Sequence, residues 1–337
     1  MLIPIFCRDE VMTKILVTGA LGFIGSNLIR YLLKNYKDVS IIGNDVSIVG
    51  LNRLSNSNNL KRLEKATEDK RFSMYWADFS KDTMSDAFKD IEYVIHLGAK
   101  TFVDYSIRDP QPFIESNVVG TYRILEEARH CKSLKKMLFF STDEVYGSIL
   151  NGSYDEDARL KPSNPYACTK GAGDLLAMAY HNTYHLPIII SRCENVYGFY
   201  QGREKVFPTF VRQALADKPL TIYGTGGHIR QWIYCDDVIR GVMTLLEKGI
   251  DGEVYHIAGN RELTNLELAK RILKALDKPE SLISFIDDHE IRPGHDKRYS
   301  LSSSKLKSLG WQPQIDLDTG IPLTVNWYKD NLWWTNG

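Results

Sequence analysis

The residue types best suited to acid–base chemistry cluster in one stretch, Ser-Thr-Asp-Glu-Val-Tyr-Gly at 141–147. The apolar run Met-Leu-Phe-Phe at 137–140 precedes it and is typical of a buried strand. Ligands of open α/β sheets bind outside the carboxyl ends of such strands. Thr142, Asp143 and Glu144 are therefore candidate catalytic residues at a strand end.

Tyr166 and Lys170 lie four residues apart, which places both side chains on one face of a helix. A phenol with a pKa of about 10 is a weak base at neutral pH. A cation one helical turn away stabilises the phenolate and lowers that pKa. Tyr166 is thus a candidate base for a hydroxyl proton while a hydride leaves the same carbon, and Thr142 can hydrogen-bond the same oxygen.

A dinucleotide-binding turn is predicted at Gly-Ala-Leu-Gly-Phe-Ile-Gly, 19–25, between an apolar strand at 14–18 and a helix at 26–35. The glycines permit a tight turn, and the helix N-terminus offers NH groups to a pyrophosphate. Asp45 ends the next apolar strand, where its carboxylate can accept hydrogen bonds from the adenosine ribose. An acidic residue there disfavours a ribose 2′-phosphate, so we expect NAD rather than NADP.

Further strands are predicted at 72–76 and 93–97, with Asp78 after the first and Ala99 after the second. Helices are predicted at 82–88 and at 113–130, the latter with Asn117 and Gly120 facing inward. Strands that alternate with helices imply an α/β fold with a doubly wound parallel sheet of the Rossmann type. We expect the NAD-binding domain at 12–195 with a return segment at 232–258. A smaller C-terminal α/β lobe for the substrate would take 196–231 and 259–334, after an N-terminal extension at 1–11.

The composition excludes several classes of protein. Lys+Arg and Asp+Glu balance at 42 each, whereas a nucleic-acid or anionic-membrane surface would show a basic excess. No apolar run approaches the ~20 residues of a membrane span. Five scattered cysteines without a CxxC pair suggest neither disulfides nor a metal site, and reduced thiols fit the cytoplasm.

In these motifs, the chain from about 14 to 334 resembles the dTDP-glucose 4,6-dehydratase family, within the extended short-chain dehydrogenase/reductases. The glycine turn and Pro-Tyr-Ala-Cys-Thr-Lys at 165–170 mark the superfamily. Asn-Val-Tyr-Gly-Phe-Tyr-Gln at 195–201 also matches, and the Asp-Glu pair and Arg-Pro-Gly-His-Asp at 292–296 are far more specific.

The resemblance implies a three-part reaction on a nucleotide sugar. Tyr166 helps oxidise carbon 4, and the new ketone acidifies the proton on carbon 5. Glu144 would remove that proton as general base, while Asp143 would protonate the hydroxyl leaving carbon 6 as general acid. Hydride then returns to carbon 6 and gives a 4-keto-6-deoxy sugar. Two adjacent carboxyl groups with opposite roles need environments that separate their pKa values.

The resemblance also implies two sets of binding residues and a homodimer formed through the helices at about 113–130 and 166–184. The residues for NAD are Gly19, Gly22, Phe23, Ile24, Gly25, Asp45, Asp78, Phe79, Leu97, Ala99, Thr101, Asn117, Tyr166, Lys170 and Asn195. The residues for the nucleotide diphosphate sugar are Thr142, Asn195, Glu204, Lys205, Tyr223, Arg230, Arg292, His295 and Tyr299.

The sequence departs from the family pattern around the cleft. The usual Ala-Glu-Ser-His-Val-Asp-Arg-Ser is Ala-Lys-Thr-Phe-Val-Asp-Tyr-Ser at 99–106, which places Lys100, Phe102 and Tyr105 where Glu, His and Arg are usual. Gln231 stands in the usual Arg-Asp-Trp, and the usual Phe-Pro-Glu-Lys is Gly-Arg-Glu-Lys at 202–205. These changes leave open which sugar and which nucleotide are bound.

Three alternatives stay open at this point. One is a 4,6-dehydratase for UDP-glucose or another sugar nucleotide. A second is a UDP-sugar 4-epimerase or decarboxylase on the same fold, against which Asp143 argues because neither reaction expels the hydroxyl on carbon 6. A third is an NAD-binding regulatory protein, which would have no need of Thr142, Tyr166 and Lys170.

Overall fold

A computed structural model describes residues 12–46, 56–287 and 296–336 of the chain. The predicted extension at 1–11 and the site residues Arg292 and His295 lie outside the described residues. The strands are β1 Thr13–Thr18, β2 Val39–Asp45, β3 Phe72–Trp76, β4 Tyr93–His96, β5 Lys136–Thr142, β6 Ile188–Cys193, β7 Asn195–Tyr197, β8 Leu220–Tyr223, β9 Ile229–Tyr234, β10 Val254–Ile257, β11 Arg261–Thr264 and β12 Ile283–Ile286.

The α-helices are α1 Phe23–Asn35, α2 Asn56–Lys61, α3 Val103–Arg108, α4 Gln111–Ile114, α5 Gly120–His130, α6 Pro165–Tyr184, α7 Val206–Leu215, α8 Cys235–Lys248, α9 Asn265–Ala275, α10 Ser304–Ser308, α11 Leu317–Asp330 and α12 Leu332–Asn336. Short 3₁₀ turns occupy Ala66–Glu68, Asp143–Tyr146 and Glu280–Leu282. Within the described part of the chain, no helix combines the length and the apolar character that a membrane crossing requires.

Seven strands form one sheet in the order β10-β6-β5-β4-β1-β2-β3, and every neighbouring pair is parallel. The strand order reverses between β1 and β4, so the connections leave those two strands in opposite directions. A crevice opens at such a point, at the carboxyl ends of the strands. The doubly wound parallel α/β sheet predicted from the sequence is therefore confirmed.

Helices cover both faces of this sheet because its central strands are apolar on both sides. In β1, Ile15 packs on one face into the cluster that contains Leu28 of α1 and Val238 of α8. Leu16 points to the other face and packs into the cluster that contains Ile124 of α5 and Ala177 of α6. Each face is thus sealed by a pair of helices, and the carboxyl edge of the sheet is left for ligands.

The remaining strands form two small sheets beside this edge. One has the order β11-β9-β7, and the other pairs β12 with β8 in parallel. A third apolar cluster joins them to helices α7, α9 and α11 through residues such as Phe207, Ile272 and Val325. These sheets therefore have a core of their own, as the sequence predicts for a smaller C-terminal lobe.

The long helix predicted at 113–130 is present, with a turn of π-helix at Glu115–Val119 between α4 and α5. Asn117, in that turn, and Gly120 are both buried, as expected. The prediction of a helix at 82–88 is wrong, because none of these residues is helical and residues 85–88 form turns. Its periodicity arises from Met84, Ala87 and Phe88, which fill the apolar cluster under α5 without a helical backbone.

Candidate active site

The glycine turn after β1 has a shape that only glycine permits. Gly19 has φ +69°, and a Cβ there would lie 2.9 Å from the backbone nitrogen of Gly98. A Cβ on Gly25 would lie 2.2 Å from the carbonyl oxygen of Gly19, and one on Gly22 would lie 2.9 Å from the same atom. The turn therefore stays narrow and leaves the N-terminus of α1 open toward an anion. Phe23 and Ile24 begin that helix.

Asp45 fixes this turn from the end of β2. One carboxylate oxygen accepts a hydrogen bond from the Leu21 N–H at 2.8 Å, and the other accepts from the Val46 N–H at 2.9 Å. An ionised carboxylate has about four lone-pair sites, so acceptor capacity is left on both oxygens. The residue thus fits the predicted contact with ribose hydroxyls.

Arg62, just after α2, holds the same turn from its opposite side. Its Nη1 donates to the Leu21 carbonyl at 2.6 Å, and its Nε donates to the Tyr200 carbonyl at 3.1 Å. The guanidinium lies 4.7 Å from the ring centroid of Trp334 near the C-terminus. Leu21 is therefore held at both its N–H and its C=O, and one buried side chain links the turn to the C-terminal helix.

The opposite wall of the crevice follows β4. Phe79 fits into a slot formed by two glycines, since a Cβ on Gly98 or on Gly120 would lie 2.5 Å from its ring. The Phe79 ring meets His96 edge-on at 5.3 Å. His96 Nδ1 is hydrogen-bonded to the Thr18 hydroxyl at 2.7 Å. Burial lowers the pKa of His96 to about 3, so this side chain is a neutral core residue.

The remaining residues expected to contact the cofactor lie along the same edge. Asp78 follows β3, and one carboxylate oxygen accepts from the Ser80 hydroxyl at 2.6 Å. Leu97, Ala99 and Thr101 follow β4 in the segment that leads to α3. The structure therefore brings together the residues that β1, β2, β3 and β4 contribute, and their contacts with NAD stay a prediction.

Asn117 in the π-turn serves as a clamp on that segment. Its Oδ1 accepts from the Lys100 N–H at 2.8 Å, and its Nδ2 donates to the Lys100 carbonyl at 3.0 Å and to the Thr169 hydroxyl at 3.0 Å. Both amide N–H groups are thus occupied within the protein. The side chain positions the segment after β4 against α6, and its contact with the cofactor stays a prediction.

Tyr166 and Lys170 lie on the first two turns of α6 and are both buried. The Asn164 side chain caps this helix by accepting from the Ala167 N–H at 2.9 Å. The Lys170 ammonium donates to the Phe140 carbonyl at 2.8 Å, and burial lowers its pKa to about 8. Burial, and then the charge of Glu144, raises the pKa of Tyr166, and the nearby Thr142 side chain opposes that rise.

Thr142 ends β5 and contacts both residues of the carboxyl pair. Its hydroxyl donates to Asp143 Oδ1 at 2.9 Å and accepts from the Glu144 N–H at 3.3 Å. The 3₁₀ turn Asp143–Tyr146 begins directly after β5, so the chain bends there, with Asp143 buried and Glu144 half-buried at the strand end. The two motifs found in the sequence therefore form one cluster.

Asp143 and Glu144 have different surroundings. Burial, and then the charge of Glu144, raises the pKa of Asp143 to about 7, and its Oδ2 has no hydrogen-bond partner among the described residues. Burial also raises the pKa of Glu144, but Arg230 opposes this rise, and so does Asn164, whose amide donates at 3.2 Å. Asp143 is thus suited to keep a proton near neutral pH, whereas Glu144 has partners for its ionised form.

The small sheets bring basic and aromatic residues to this cluster. Arg230 of β9 donates from Nη2 to the Asp296 carbonyl at 2.9 Å, and its guanidinium lies 4.4 Å from the Tyr299 ring centroid. The Tyr299 hydroxyl donates to the Asp296 carboxylate at 2.5 Å. Lys205 reaches across to the Thr101 carbonyl at 2.9 Å.

The other predicted substrate residues are more widely spread. Asn195 begins β7 and is paired in register with Trp232 of β9. Tyr223 ends β8, and Glu204 lies in the turn before α7. All three residues lie in the smaller lobe. Their roles in substrate binding stay predictions.

Comparisons with known proteins agree with this geometry. A family model described as GDP-mannose 4,6 dehydratase matches residues 16–324. A dTDP-glucose 4,6-dehydratase from Actinoplanes sp. is 42% identical over 326 residues, which cover 96% of this chain and all of that protein. Another from Escherichia coli is 37% identical and covers 95% of each chain. The chain belongs to the dTDP-glucose 4,6-dehydratase family.

Solved structures place the family within a wider fold. A crystal structure of dTDP-glucose 4,6-dehydratase from Streptomyces venezuelae with NAD and TYD bound has a TM-score of 0.88 at 38% identity, covering 96% of this chain and 98% of that one. A UDP-glucuronic acid 4-epimerase from Bacillus cereus also reaches 0.88, at 34% identity and 94% coverage of this chain. The fold alone therefore does not separate dehydratases from epimerases.

The departures from the family pattern have visible contacts. Gln231, in place of the usual Asp, donates to the Gly259 carbonyl at 2.7 Å and accepts from the Leu301 N–H at 2.8 Å. A carboxylate could not make the first of these bonds. Phe102 meets Tyr105 edge-on at 4.7 Å, and the Lys205 ammonium lies 5.7 Å from the Phe102 ring centroid.

Several residues that build the site were not found from the sequence. Asn164 carried a usable signal, because an Asn directly before Pro165 is typical of a helix N-cap. Ser106 also escaped notice, although its hydroxyl accepts from the Tyr166 N–H at 3.1 Å. Arg62 lies in a polar stretch with no distinguishing pattern, so only its tertiary contacts reveal it.

Proposed function

We propose that this protein is an NAD-dependent nucleotide-sugar 4,6-dehydratase, a hydro-lyase that acts on an NDP-hexose, most specifically dTDP-glucose. The observation that carries the proposal is the Asp143–Glu144 pair beside Thr142, in a turn that packs against α6, the helix that carries Tyr166 and Lys170. Family membership supports it, since the relatives from Actinoplanes sp. and Escherichia coli, which this chain matches over nearly their whole length, are dTDP-glucose 4,6-dehydratases.

The residues present fit NAD. The glycine turn admits no Cβ, Asp45 keeps lone pairs toward the ribose position, and Lys170 is buried one helical turn after Tyr166. When bound, NAD would accept a hydride from carbon 4 of the sugar and return it to carbon 6. The chain would bind the pyrophosphate at the N-terminus of α1 and the adenosine ribose at Asp45.

Tyr166 would take the proton of the hydroxyl on carbon 4. The Thr142 hydroxyl and the Lys170 ammonium, one helical turn from Tyr166, would stabilise the phenolate that this role requires. The new ketone acidifies carbon 5, from which Glu144 removes a proton, while Asp143 protonates the hydroxyl that leaves carbon 6. The separated environments of the two carboxyl groups support this division of roles.

The lobe would bind the nucleotide diphosphate. Arg230 provides a buried guanidinium for a charge-assisted contact with phosphate. The residues proposed to complete this pocket are Asn195, Glu204, Lys205, Tyr223, Arg292, His295 and Tyr299. On this proposal the NAD-binding domain is 12–195 with 232–258, and the lobe is 196–231 with 259–334.

The direct test is incubation of the purified protein with dTDP-glucose, UDP-glucose, CDP-glucose and GDP-mannose. We expect a 4-keto-6-deoxy sugar nucleotide, with dTDP-glucose giving the highest kcat/KM. If only another sugar nucleotide is dehydrated, the proposed reaction stands and the proposed substrate changes to that sugar nucleotide. A lack of dehydrated product from every 6-hydroxy sugar in the panel would refute the proposal.

A second candidate is a UDP-sugar 4-epimerase, which the high structural similarity to the Bacillus cereus epimerase favours. Asp143 distinguishes the two, because epimerisation expels no hydroxyl from carbon 6. The same incubations separate them, since an epimerase would return the carbon-4 epimer with its mass unchanged. A UDP-sugar decarboxylase would release carbon dioxide from a uronic acid, and a purely regulatory NAD-binding protein would turn over none of these sugars.

We further propose a cytoplasmic homodimer. Helix α6 and the helical run 111–130 expose large apolar side chains that a monomer would leave in water: Ile114, Val119, Tyr122, Leu175 and Tyr184. The described cysteines are free thiols, as a reducing compartment requires. Light scattering after size-exclusion chromatography should give twice the chain mass, and a single monomeric species would contradict the dimer.

A further inference from the structure

The turn that carries the two catalytic carboxyl groups ends at a residue to which the proposed reaction gives no role. Tyr146 is the last residue of the 3₁₀ turn Asp143–Tyr146 and is fully buried. Its ring stacks on that of Tyr154 at a centroid distance of 4.9 Å. A buried phenol requires hydrogen-bond partners for its hydroxyl, and two other elements of the fold provide them.

His256 of β10 accepts a hydrogen bond from this hydroxyl. The Nδ1 of His256 lies 3.0 Å from the Ser302 carbonyl oxygen, which can only accept, so Nδ1 carries the hydrogen. Burial lowers the pKa of His256 to about 3, so the ring is neutral. Nε2 is therefore an acceptor, and the Tyr146 hydroxyl, 2.6 Å away, must donate to it.

Arg192 of β6 donates to the oxygen of the same hydroxyl. This guanidinium is buried, and its Nη1 donates to the Tyr146 hydroxyl and, at 3.2 Å, to the Glu156 carbonyl. Its Nε donates at 2.8 Å to Asp174, which lies one helical turn after Lys170 on α6. One buried guanidinium thus links the end of the carboxyl turn to the helix that carries the proposed base.

A second contact joins the turn to the same helix nearer its start. Asn164, the N-cap of α6, donates to Glu144 at 3.2 Å. The turn is therefore linked to α6 on both sides, at Glu144 and through Tyr146. Catalytic groups must be held close to their productive geometry by the residues around them, and a misplacement of about 1 Å can slow a reaction about 10²-fold.

Resting on the proposed function, we propose that Tyr146 is a positioning residue for the elimination of water, acting through its hydrogen bonds with Arg192 and His256. These bonds fix the end of the turn and so fix both carboxyl groups relative to α6. Oxidation of carbon 4 uses the phenol and the ammonium that α6 itself carries, so it does not depend on this anchor. The anchor therefore serves one step of the reaction and not the step before it.

The test compares Tyr146→Phe with Tyr154→Phe in the NAD-loaded protein with dTDP-glucose. Both changes remove one phenolic hydroxyl and keep the ring, but the Tyr154 hydroxyl donates to the Ser148 carbonyl at 3.3 Å, at the surface. In a single turnover with enzyme in excess, the absorbance of NADH rises as carbon 4 is oxidised and falls after the elimination. Mass spectrometry of quenched samples distinguishes the 4-keto sugar from its dehydrated form.

We expect the NADH signal of Tyr146→Phe to rise within about twofold of the wild-type rate and to fall roughly ten- to hundredfold more slowly, while the 4-keto-6-hydroxy sugar accumulates. Tyr154→Phe should match the wild type in both phases. If Tyr146→Phe does not yield folded protein, His256→Leu removes the acceptor of the same hydroxyl and must show the same pattern.

An unchanged decay of NADH, or an equal slowing of its rise and its decay, overturns the anchor, because a general loss of structure would slow both phases together. A slow decay in which the dehydrated sugar accumulates overturns it as well, since the elimination would then be intact. Failure of the proposed function is a different result, because the wild-type protein would then form no dehydrated sugar.

Discussion

The glycine turn and the reaction centre lie at the same edge of the sheet, yet they differ in how their polar groups are satisfied. At the turn, both peptide groups of Leu21 have partners, the Asp45 carboxylate for its N–H and the Arg62 guanidinium for its carbonyl. At the reaction centre, Asp143 Oδ2 is buried without a hydrogen-bond partner in the described chain.

This difference separates binding from chemistry. A turn whose Leu21 peptide groups are hydrogen-bonded before any ligand arrives holds its shape, so little ordering remains to be done when a dinucleotide binds. A buried carboxyl group without a full set of partners costs stability, but it keeps a lone pair or a proton for a substrate. The turn therefore favours dinucleotide affinity. The strand end lowers the stability of the fold and gains a reactive carboxyl group.

The largest effect that would test this contrast is expected from Glu144→Gln. The amide cannot accept the carbon-5 proton, so the rate of dehydration should fall by about 10²- to 10⁴-fold. NAD should stay bound, because the glycine turn is unchanged. Product formation and the NAD content of the purified protein measure the two effects separately.

Glu68→Gln provides the matched control, since Glu68 is exposed and lies in the 3₁₀ turn Ala66–Glu68. Full activity in Glu144→Gln would exclude Glu144 as the base. Loss of NAD together with activity would mean that the two regions are not independent.

The next effect concerns the stability cost of the reaction centre. Burial raises the pKa of Asp143 from 3.8 to about 7, so the native state binds the proton more tightly than the unfolded state. The stabilisation is complete below the unfolded pKa and is lost as the pH rises through about 7. The loss amounts to at most about 4 kcal/mol, from about 1.4 kcal/mol per pKa unit.

Asp143→Asn has no such titration. We expect this variant to become more stable relative to the wild type between pH 4 and pH 8, because only the wild type loses the stabilisation from the Asp143 proton. Denaturant unfolding of both proteins at several pH values measures this difference. A constant difference across the range would show that Asp143 is not protonated in the native state.

A smaller effect is expected at the glycine turn from Arg62→Ala. The Leu21 and Tyr200 carbonyls would lose their donor, at a cost of about 1–3 kcal/mol each where no water replaces it. The turn would then be held on one side only, so NAD should dissociate faster. The NAD content after gel filtration and the off-rate measure this, and Arg261→Ala on the exposed surface is the control.

The smallest effect is expected from Trp334→Leu. It removes the ring beside the Arg62 guanidinium and keeps an apolar side chain in the pocket. Such a contact contributes roughly 0.5–2 kcal/mol. NAD retention should fall less than in Arg62→Ala, and an equal or larger fall would mean that the C-terminal helix, rather than the arginine, holds the turn.

Much of the main sheet could be predicted because its signals are local. The apolar run before Thr142, the glycine turn after β1 and Asp45 at the end of β2 each combine a period, a turn residue and a polar end within a few residues. The turns at 82–88 were predicted as a helix because Met84, Ala87 and Phe88 have helical spacing. Their burial is set by α5 above them, which no local pattern encodes.

The sequence alone determined which chemistry is available: a phenol with a cation one helical turn away, a hydroxyl, and two adjacent carboxyl groups behind an apolar strand. Only the tertiary structure decided how they are connected. Asn164, the N-cap of α6, donates to Glu144 because α6 packs against the end of β5, and Arg62 holds Leu21 from across the fold. Local spacing fixes the types of residue on one element, whereas hydrogen bonds between distant elements depend on how the whole chain packs.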